Sequence, residues 1–479
     1  MAAPDLKDVS YGDLTAILSR TQHSLNDAGL GRDDKIAIVM PNGPHMAVAF
    51  LAVSASAVAA PLNPAFREDE FRFYMEDLQV KALLAEKEST SPAVAAANAS
   101  SIPLIEMAAD FSLHTEFHGI ARKSGYVGDD ETALVLHTSG TTSRPKMVPL
   151  TQGNLVASAG NIARTLCLSE SDRCLNIMPL FHIHGLVAAL LATLSSGGSV
   201  YCTRGFNALK FFGQLEDAKP TWYTAVPTMH QIILSRAEKN MGVVRANPLR
   251  FIRSSSASLP VPVFAALEQT FGCPVIEAYA MTENAHQMTS NQLPPGKRKA
   301  GLVGCAAGPE VAIMDLHGKL LDIGEEGEIV TRGANVTKGY ENNPAANETG
   351  FAHGWFHTGD QGFMDDDGYL KITGRLKEII NRGGEKIAPA EVDEVLLEHA
   401  AVFQVVTFAM PHDKLGEDVA AAVVLRDGHT ATERELQDFV NERLAAFKVP
   451  CKIVILAEIP KGATGKLQRI GLAQKLGLA

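Results

Sequence analysis

The sequence predicts an α/β protein with a large N-terminal domain, residues 1–374, and a small α+β C-terminal domain, residues 375–479. In the first half, short apolar runs alternate with longer amphipathic segments, a pattern typical of parallel strands covered by helices. After residue 300, short segments separated by glycines, such as GEIVTRG and GYLKITG, favour antiparallel strands and turns. A further change of pattern at Gly374–Arg375 marks the predicted domain boundary.

The first predicted elements are a helix, a strand and a second helix. Residues 12–29 have the period of an amphipathic helix, and residues 35–40 form the short apolar run of a buried strand. Residues 44–60 are apolar with many small side chains, which predicts a closely packed core helix. The most apolar part, Met46–Ala60, is shorter than the roughly 20 residues that a membrane-spanning helix needs.

The next elements complete the predicted layers. Residues 81–86 and 133–140 are predicted strands, whereas residues 87–130 lack a clean period and are predicted to be surface loops. In the small domain we expect helices at 391–400 and 430–447 and strands at 402–409 and 419–425. A chain of this length can bury large cores.

Composition and charge narrow the function classes. The 43 basic and 54 acidic residues give a net charge of −11, which argues against nonspecific binding to nucleic acid or to an anionic membrane. The six cysteines lack the CxxC spacing of zinc and redox sites, and the first residues lack the pattern of a signal peptide. We therefore expect a cytoplasmic protein that binds anionic ligands through locally placed cations and backbone N–H groups.

The most informative segment is HTSGTTSRPKMVP, residues 137–149. Its hydroxyl groups and glycine follow a predicted strand and can offer donors to a polyphosphate, and Lys146 can neutralise part of its charge. The segment does not match the Walker pattern GxxxxGK[ST], because a proline precedes the lysine. Taken alone, a flexible Ser/Thr-rich surface loop is an equally good interpretation.

Six segments in order resemble the signatures of the adenylate-forming superfamily, which contains acyl-CoA synthetases, peptide-synthetase adenylation domains and luciferases. They are HTSGTTSRPK (137–146), LFHIHG (180–185), EAYAMTE (277–283), WFHTGD (355–360), GRLKEIINRGGEKI (374–387) and PKGATGKLQR (460–469). The resemblance covers essentially the whole chain. It implies a multi-layer α/β N-terminal domain with a small β-barrel-like portion, followed by a mobile α+β lid.

The resemblance also implies a site for ATP and Mg²⁺. Thr282 would contact the α-phosphate, and Glu283 would ligate Mg²⁺. Tyr279 would stack on adenine, and Asp360, helped by Arg375, would accept hydrogen bonds from the ribose hydroxyls. The other residues expected at the nucleotide are Thr138, Ser139, Gly140, Thr141, Thr142 and Lys146 in the phosphate loop, and Ser256, Ala257, Glu277 and Ala278 around the base.

In the same family the lid serves two half-reactions. The resemblance implies that Lys466 enters from the small domain and bridges the substrate carboxylate and the α-phosphate during adenylation. Lys377 matches the hinge about which the lid then turns, and Gly383 and Gly384 would approach the pantetheine of CoA. A tight turn without a ligand would also explain the two glycines, and a lysine near a C-terminus is usually solvated.

Within the superfamily, four segments look most similar to oxalyl-CoA synthetases: HTSGTTSRPK, TWYTAVPTMHQIIL, RSSSASL and AYAMTENAHQMTSN. A small dianion needs donors or cations in its pocket rather than an apolar tunnel. We assign its recognition to His182, Ser254, Ser256 and His286, although a lone histidine is as often a packed core residue. A zinc site is disfavoured, because its candidate histidines lack ligand spacing and a partnering carboxylate or cysteine.

Malonate is the alternative acid. Malonyl-CoA synthetases have similar segments, but we expect them to use an arginine near the YAMTE segment; Thr282–Gln292 contains none, and the next one downstream is Arg298. Another short acid, or loading of a free-standing carrier protein, also stays open. The sequence thus predicts an AMP-forming carboxylate–CoA ligase, monomeric or homodimeric, that uses ATP, Mg²⁺ and CoA with oxalate as the expected small dicarboxylate.

The phosphate loop departs from the family pattern at one position. Met147 follows Lys146 where relatives usually have glycine. If the backbone there needs a positive φ, a methionine is strained. We expect such strain to affect catalytic efficiency rather than the class of reaction.

Overall fold

The chain folds into apolar strands covered by helices. The computed structural model describes residues 1–3, 8–138, 145–460 and 467–479. The strands of these residues are β1 (Lys35–Val39), β2 (Val58–Pro61), β3 (Ala82–Glu86), β4 (Leu104–Met107), β5 (Leu113–Thr115), β6 (Thr132–Thr138), β7 (Lys146–Thr151), β8 (Arg173–Asn176), β9 (Ser199–Cys202), β10 (Trp222–Ala225), β11 (Phe251–Ser255), β12 (Val275–Met281), β13 (His286–Ser290), β14 (Cys305–Ala306), β15 (Glu310–Met314), β16 (Gly327–Arg332), β17 (Phe356–Met364), β18 (Leu370–Arg375), β19 (Ile380–Arg382), β20 (Glu385–Ile387), β21 (Val402–His412), β22 (Gly416–Leu425) and β23 (Lys452–Ile455).

The α-helices of the same residues are α1 (Tyr11–Asp27), α2 (Pro44–Ser56), α3 (Glu68–Leu78), α4 (Pro92–Ala99), α5 (Gln152–Thr165), α6 (Ala192–Ser195), α7 (Phe211–Ala218), α8 (Pro227–Ala237), α9 (Met241–Ala246), α10 (Val261–Phe271), α11 (Pro344–Gly350), α12 (Pro389–Glu398), α13 (Glu433–Asn441) and α14 (Leu472–Lys475). A π-helical segment, His184–Leu191, leads into α6. Within this described part of the chain, every helix is too short or too polar to cross a membrane.

Two seven-stranded sheets enclose the main core. Their strand orders are β5-β4-β3-β1-β2-β6-β7 and β14-β13-β12-β11-β10-β8-β9, parallel in their centres and antiparallel where β5, β7, β13 and β14 pair. Phe50 of α2, Leu186 of the π-helical segment and Trp222 of β10 are buried in this one core. Because α2 is buried along nearly its whole length, its sequence is apolar on all sides and lacks an amphipathic stripe.

The glycine-rich region after residue 300 forms an antiparallel sheet in the order β15-β16-β17-β18. Register places Asp360 of β17 opposite Arg375 of β18. The predicted change to antiparallel structure is therefore confirmed, and this sheet brings two of the predicted nucleotide residues side by side.

The C-terminal region has its own sheet and core. The strands pair in the order β20-β19-β22-β21, with β23 parallel to β22. Side-chain contacts join it to the preceding region: Lys371 Nζ lies 3.3 Å from Glu394 Oε1, Gln231 Nε2 donates to the Phe403 carbonyl at 3.5 Å, and Gln404 Nε2 donates to Gln231 Oε1 at 3.5 Å. The second predicted helix of this region is shorter than expected, because α13 ends at Asn441.

The α/β fold class is confirmed, but two predictions on local structure are wrong. The predicted helix 44–60 ends at Ser56, and Val58–Pro61 form strand β2 between β1 and β6. Small apolar residues suit a buried helix and a buried strand equally, so periodicity does not separate the two. Residues 87–130 are not only loops, because they contain α4, β4 and β5. Ser91 caps α4 and Pro92 occupies its first turn, which is a start signal that the sequence did offer.

Candidate active site

The predicted nucleotide residues lie where strands of the second sheet end. The loop containing Ser256 and Ala257 follows β11, and Thr282–Asn284 form a 3-10 turn directly after β12, which contains Ala278. Ligands of α/β proteins bind outside the carboxyl ends of parallel strands. Ala257 is exposed and Thr282 is half-buried, so solvent reaches both residues. These segments therefore form one candidate site.

The carboxylate predicted to ligate Mg²⁺ is buried and held by a tyrosine. Tyr340 donates its hydroxyl hydrogen to Glu283 Oε1 at 2.9 Å, and Lys146 Nζ lies 4.2 Å from the centroid of the Tyr340 ring. Burial raises the pKa of Glu283, whereas the Tyr340 hydrogen bond and the positive charge of Lys146 oppose that rise. The same tyrosine thus holds a cation over its ring face and a carboxylate at its hydroxyl group.

The surroundings of Glu283 suit a Mg²⁺ ion that arrives bound to a nucleotide. The described residues contain no group of three or more His, Cys, Asp or Glu side chains that could hold a metal ion. Mg²⁺ usually binds through one or two protein carboxylates and completes its shell with phosphate oxygens and water. A single buried carboxylate, Glu283, near the cation Lys146 fits that pattern.

Three further predicted residues form a hydrogen-bonded group. The Tyr279 hydroxyl donates to Asp360 Oδ2, and Arg375 Nε lies 2.7 Å from Asp360 Oδ1. Burial, followed by the negative charge of Asp360, raises the pKa of Tyr279, so the hydroxyl keeps its proton. An ionised carboxylate has about four lone-pair positions, so Asp360 can still accept hydrogen bonds from a diol.

The side chain of Glu277 holds the loop after β11 through a hydrogen bond. Its Oε1 accepts a hydrogen bond from the Leu259 backbone N–H at 3.0 Å, and burial raises its pKa to about 7. In the same loop Ser256 has a φ of 74°, in the left-handed region that L-residues rarely adopt. The side chain of Glu277 therefore fixes the shape of the predicted base-binding segment.

A group of polar side chains lies between the π-helical segment and the second sheet, and all but the half-buried Ser256 are buried. We call His184, Thr224, Arg253, Ser256 and His286 the buried polar cluster. His184 Nδ1 lies 3.0 Å from Ser256 Oγ, and its Nε2 lies 2.6 Å from Thr224 Oγ1. The rings of His184 and His286 are 4.9 Å apart between centroids. Because His286 is only three residues beyond Glu283, the cluster adjoins the predicted Mg²⁺ carboxylate.

Arg253 is a member of this cluster that sequence reasoning missed. Its side chain is fully buried, Nη1 lies 3.0 Å from His286 Nε2, and Nη2 donates to Gln287 Oε1 at 3.3 Å. The segment Thr282–Gln292 contains no arginine in its sequence. In the folded structure, however, Arg253 lies against this segment. Strand β11 runs next to β12 and carries the guanidinium to this segment.

The four predicted substrate residues are only partly brought together. Ser256 and His286 belong to the buried polar cluster, but the histidine of LFHIHG within it is His184, two residues after the predicted His182. His182 is half-buried just before the π-helical segment. Ser254 is buried, and the alternation of side chains along β11 places it on the face opposite Arg253.

Five predicted residues lie outside the part of the chain that the structure describes: Ser139, Gly140, Thr141, Thr142 and Lys466. The strands that flank the phosphate loop are described, and Thr138 of β6 pairs with Lys146 of β7. Met147 follows within β7, where it is buried and has no positive φ. The expected strain at Met147 is therefore absent, because an extended strand accommodates any L-residue.

The predicted hinge and glycine turn lie close to each other along the chain. Lys377 is exposed in the turn after β18, and Gly383 and Gly384 form the turn between β19 and β20 with φ values of 60° and 103°. A Cβ atom added to Gly384 would meet nothing within 4 Å. Positive φ alone accounts for the two glycines, so a ligand at this turn stays a prediction.

The segment that follows Lys466 is tied to the predicted hinge. Arg469 Nη2 lies 2.6 Å from Asp393 Oδ2, and its Nε lies 3.3 Å from Glu378 Oε2. Glu378 is the residue after Lys377. An ion pair thus connects the region of the predicted catalytic lysine with the residues about which we expect the lid to turn.

The fold and the site together define a family, and comparison with known proteins agrees. The chain belongs to the AMP-binding enzyme family, whose model matches residues 2–341, and the model of the AMP-binding enzyme C-terminal domain matches residues 391–466. The superfamily predicted from the six segments is therefore confirmed.

Individual relatives match along nearly their whole length. The chain is 46% identical to an oxalate–CoA ligase of Arabidopsis thaliana, over 98% of this chain and 93% of the relative. It is 41% identical to an oxalate–CoA ligase of Saccharomyces cerevisiae, over 97% of this chain and 92% of the relative. The crystal structure of ATP-bound MatB from Rhodopseudomonas palustris has a TM-score of 0.88 at 28% identity, over 99% of this chain and 94% of that one.

Proposed function

We propose that this protein is an AMP-forming oxalate–CoA ligase, which converts oxalate, ATP and CoA into oxalyl-CoA, AMP and diphosphate. The observation that carries the choice of acid is the buried polar cluster beside Glu283, which contains a cation and several hydrogen-bonding side chains. A fatty acid would need an apolar tunnel in that place. The likeness to two oxalate–CoA ligases over nearly the full chain supports the same choice.

In the first half-reaction, a carboxylate oxygen of oxalate attacks the α-phosphorus of ATP, and diphosphate leaves. Charge gathers on the phosphoryl oxygens, so this step depends on cations and positioning. We assign Lys466 and Thr282 to the α-phosphate, the loop from Thr138 to Lys146 to the β- and γ-phosphates, and Glu283 to Mg²⁺. Tyr340 orients the Glu283 carboxylate through its hydrogen bond.

The nucleotide itself is held by the hydrogen-bonded group of Tyr279, Asp360 and Arg375. The hydroxyl of Tyr279 is bonded to Asp360, so the ring is fixed as a face for adenine. Arg375 orients the carboxylate that accepts from the ribose hydroxyls. The base would be lined by Ser256, Ala257 and Ala278. Glu277 would hold the loop that contains Ser256 and Ala257.

In the second half-reaction, the CoA thiolate attacks the acyl carbon and AMP leaves. We assign the approach of pantetheine to the Gly383–Gly384 turn after a rotation of the lid, residues 375–479, about Lys377. The open space beside Gly384 supports this assignment, since a thin ligand can approach the backbone there.

Recognition of oxalate falls to Ser256 and His286 within the buried polar cluster, with His182 at its edge. Malonate is the second candidate, because a buried cation beside His286 favours small dianions in general. The lack of an arginine along Thr282–Gln292 no longer separates the two acids, since Arg253 lies against that segment.

ATP–diphosphate exchange and CoA-dependent AMP release, measured with oxalate, malonate, acetate and hexanoate, test the proposal. We expect oxalate alone to give both activities at high efficiency. Preference for malonate would keep the ligase and reject oxalate as its acid. Exchange with oxalate but no CoA-dependent release of AMP would reject CoA as the acceptor and favour a carrier protein.

A further inference from the structure

Arg253 is a buried cation without a carboxylate partner among the described residues. Its side chain is fully buried, and no Asp or Glu oxygen of the described residues lies within 4.0 Å of it. Its Nε has no hydrogen-bond partner in the same set of residues. Burial lowers the pKa of Arg253 to about 9, so the guanidinium is still charged at neutral pH. Buried charges are normally paired, so the missing partner points to an anionic ligand.

Neighbouring side chains fix the position of this cation. Gln287 Nε2 donates to Thr165 Oγ1 at 3.2 Å and to the Ala307 carbonyl at 3.1 Å, which turns its Oε1 toward Arg253. The backbone at His286 has a φ of 104° and that at Ala285 a φ of 45°. Such strain persists only where the surrounding structure holds it, and it often marks functional sites.

The contact between Arg253 and His286 also sets the tautomer of the imidazole. A guanidinium has only donors, so His286 Nε2 must accept the hydrogen bond from Nη1 at 3.0 Å. The proton of the neutral ring is then on Nδ1. A partner that fixes a histidine tautomer in this way determines what the other ring nitrogen can do.

We propose that Arg253 is the positioning residue that makes the acyl pocket specific for a dianion: it fixes His286 as an Nδ1–H donor and places an unpaired positive charge behind it. This inference rests on the proposed function. A purely structural role for Arg253 would be to fill space in the core beneath β11. The two roles differ in which substrate a change at this residue affects. The proposed role acts on the acid alone, whereas a disturbed core would also displace the Ser256–Ala257 segment that we propose lines the base.

The test compares Arg253→Met, which keeps much of the volume and removes the charge, with Arg253→Lys, which keeps the charge. We expect Arg253→Met to raise the KM for oxalate by about 30-fold or more, as for loss of one partner of a buried charge contact. The KM for ATP should change by less than about threefold, since uniform damage to the site would raise both. Arg253→Lys should recover most of the loss.

Arg250→Met is the matched control. Arg250 precedes β11, pairs with Asp172 at 2.9 Å and contacts no residue of the buried polar cluster in the described structure. We expect a lower melting temperature and unchanged KM values for this variant. Oxamate, which replaces one carboxylate of oxalate by an amide, should lose much less affinity than oxalate when Arg253 is changed to Met.

Each outcome decides the matter. A parallel rise of both KM values, equal losses with oxalate and oxamate, or an unchanged KM for oxalate would overturn the role of Arg253. If Arg253→Met does not fold, the relative affinity of Arg253→Lys for oxalate and oxamate decides. This variant keeps the charge and should retain a clear preference for oxalate; loss of that preference would overturn the role of Arg253. A wild-type protein that activates no oxalate would instead overturn the proposed function, and the inference with it.

Discussion

Tyr340 is the residue on which the geometry of Glu283, the predicted Mg²⁺ ligand, depends most directly. It donates to Glu283 and carries Lys146 over its ring, yet no sequence signature drew attention to it. It lies 57 residues after Glu283 along the chain, and only the folded structure brings the two together. The same holds for Arg253, which resembles any charged residue until the register of β11 and β12 is known.

Replacement of Tyr340 by phenylalanine should make ATP use more sensitive to acid. Burial raises the pKa of Glu283 and the Tyr340 hydrogen bond lowers it, so removal of the bond raises the pKa further. The carboxylate form of Glu283, which we propose binds Mg²⁺, is then lost at a higher pH. We expect the KM for Mg²⁺–ATP to rise about tenfold near pH 6.5, as for loss of a hydrogen bond to a charged group, and much less near pH 9.

Tyr369→Phe provides the control for this measurement, because the Tyr369 hydroxyl donates to the Lys297 carbonyl, outside the site. Its pH profile should match that of the wild type. If Tyr340→Phe gave the same loss at both pH values, the hydrogen bond would not act through the protonation of Glu283.

Glu277 should make the stability of the protein fall as pH rises. Its folded pKa of about 7 lies above the ordinary value of 4.5, so the folded state holds a proton that the unfolded state has released. Unfolding free energy therefore decreases between about pH 4.5 and 7 and levels off above. In the wild type this contribution lowers the unfolding free energy by roughly 3 kcal/mol across that range, and Glu277→Gln should lack it. Urea unfolding at several pH values measures the difference.

The exposed Glu348→Gln on α11 is the matched change of one charge, and its stability profile should follow the wild type. A Glu277→Gln variant with an unchanged slope of stability against pH would show that Glu277 is ionised in the folded protein throughout this range.

At the scale of elements, the sequence predicts strands with strong apolar runs well and elements of small residues poorly. The run at 35–40 could be assigned because it contains the β-branched residues Ile36, Ile38 and Val39, and Lys35–Val39 form β1. The small apolar residues of α2 and β2 give no such signal, so the switch from helix to strand at Ala57 depends on the pairing of β2 with its neighbours.

The β19–β20 turn should matter for thioester formation and not for adenylation. Gly384→Trp adds a large side chain where the structure has open space. We expect oxalate-dependent ATP–diphosphate exchange within about threefold of the wild type and CoA-dependent AMP release reduced roughly 100-fold or more, as for loss of a properly positioned reactant. Lys466→Ala should abolish exchange, whereas supplied oxalyl-adenylate should still react with CoA in this variant.

Gly428→Trp is a suitable control for that variant. Gly428 also has a positive φ, 76°, open surroundings and a place in the C-terminal region, but it lies outside the predicted CoA contact. Both half-reactions should persist in Gly428→Trp. Loss of exchange in Gly384→Trp would mean that this turn serves adenylation, or holds the lid together, rather than admitting pantetheine.

At the scale of the whole molecule, the order of six motifs along the chain was enough to predict the family and the fold class, whereas the roles of the nucleotide residues remain predictions. Order along the chain carries no information on which side chains meet in the proposed acid pocket, because the buried polar cluster combines residues of β10, β11, β13 and the π-helical segment. For this reason the sequence drew His182 and Ser254 into the predicted acid site, whereas the contacts of His184 and Arg253 with Ser256 and His286 are visible only in the folded structure.

The central claim is that oxalate is adenylated before it meets CoA, and ¹⁸O-labelled oxalate tests it most directly. The attacking carboxylate oxygen becomes bonded to the α-phosphorus and stays there when the thiolate displaces AMP. Mass spectrometry of the products should therefore find one ¹⁸O atom in AMP and none in diphosphate. AMP without label, formed together with oxalyl-CoA, would contradict the account, because the acyl group would then have reached CoA without passing through an adenylate.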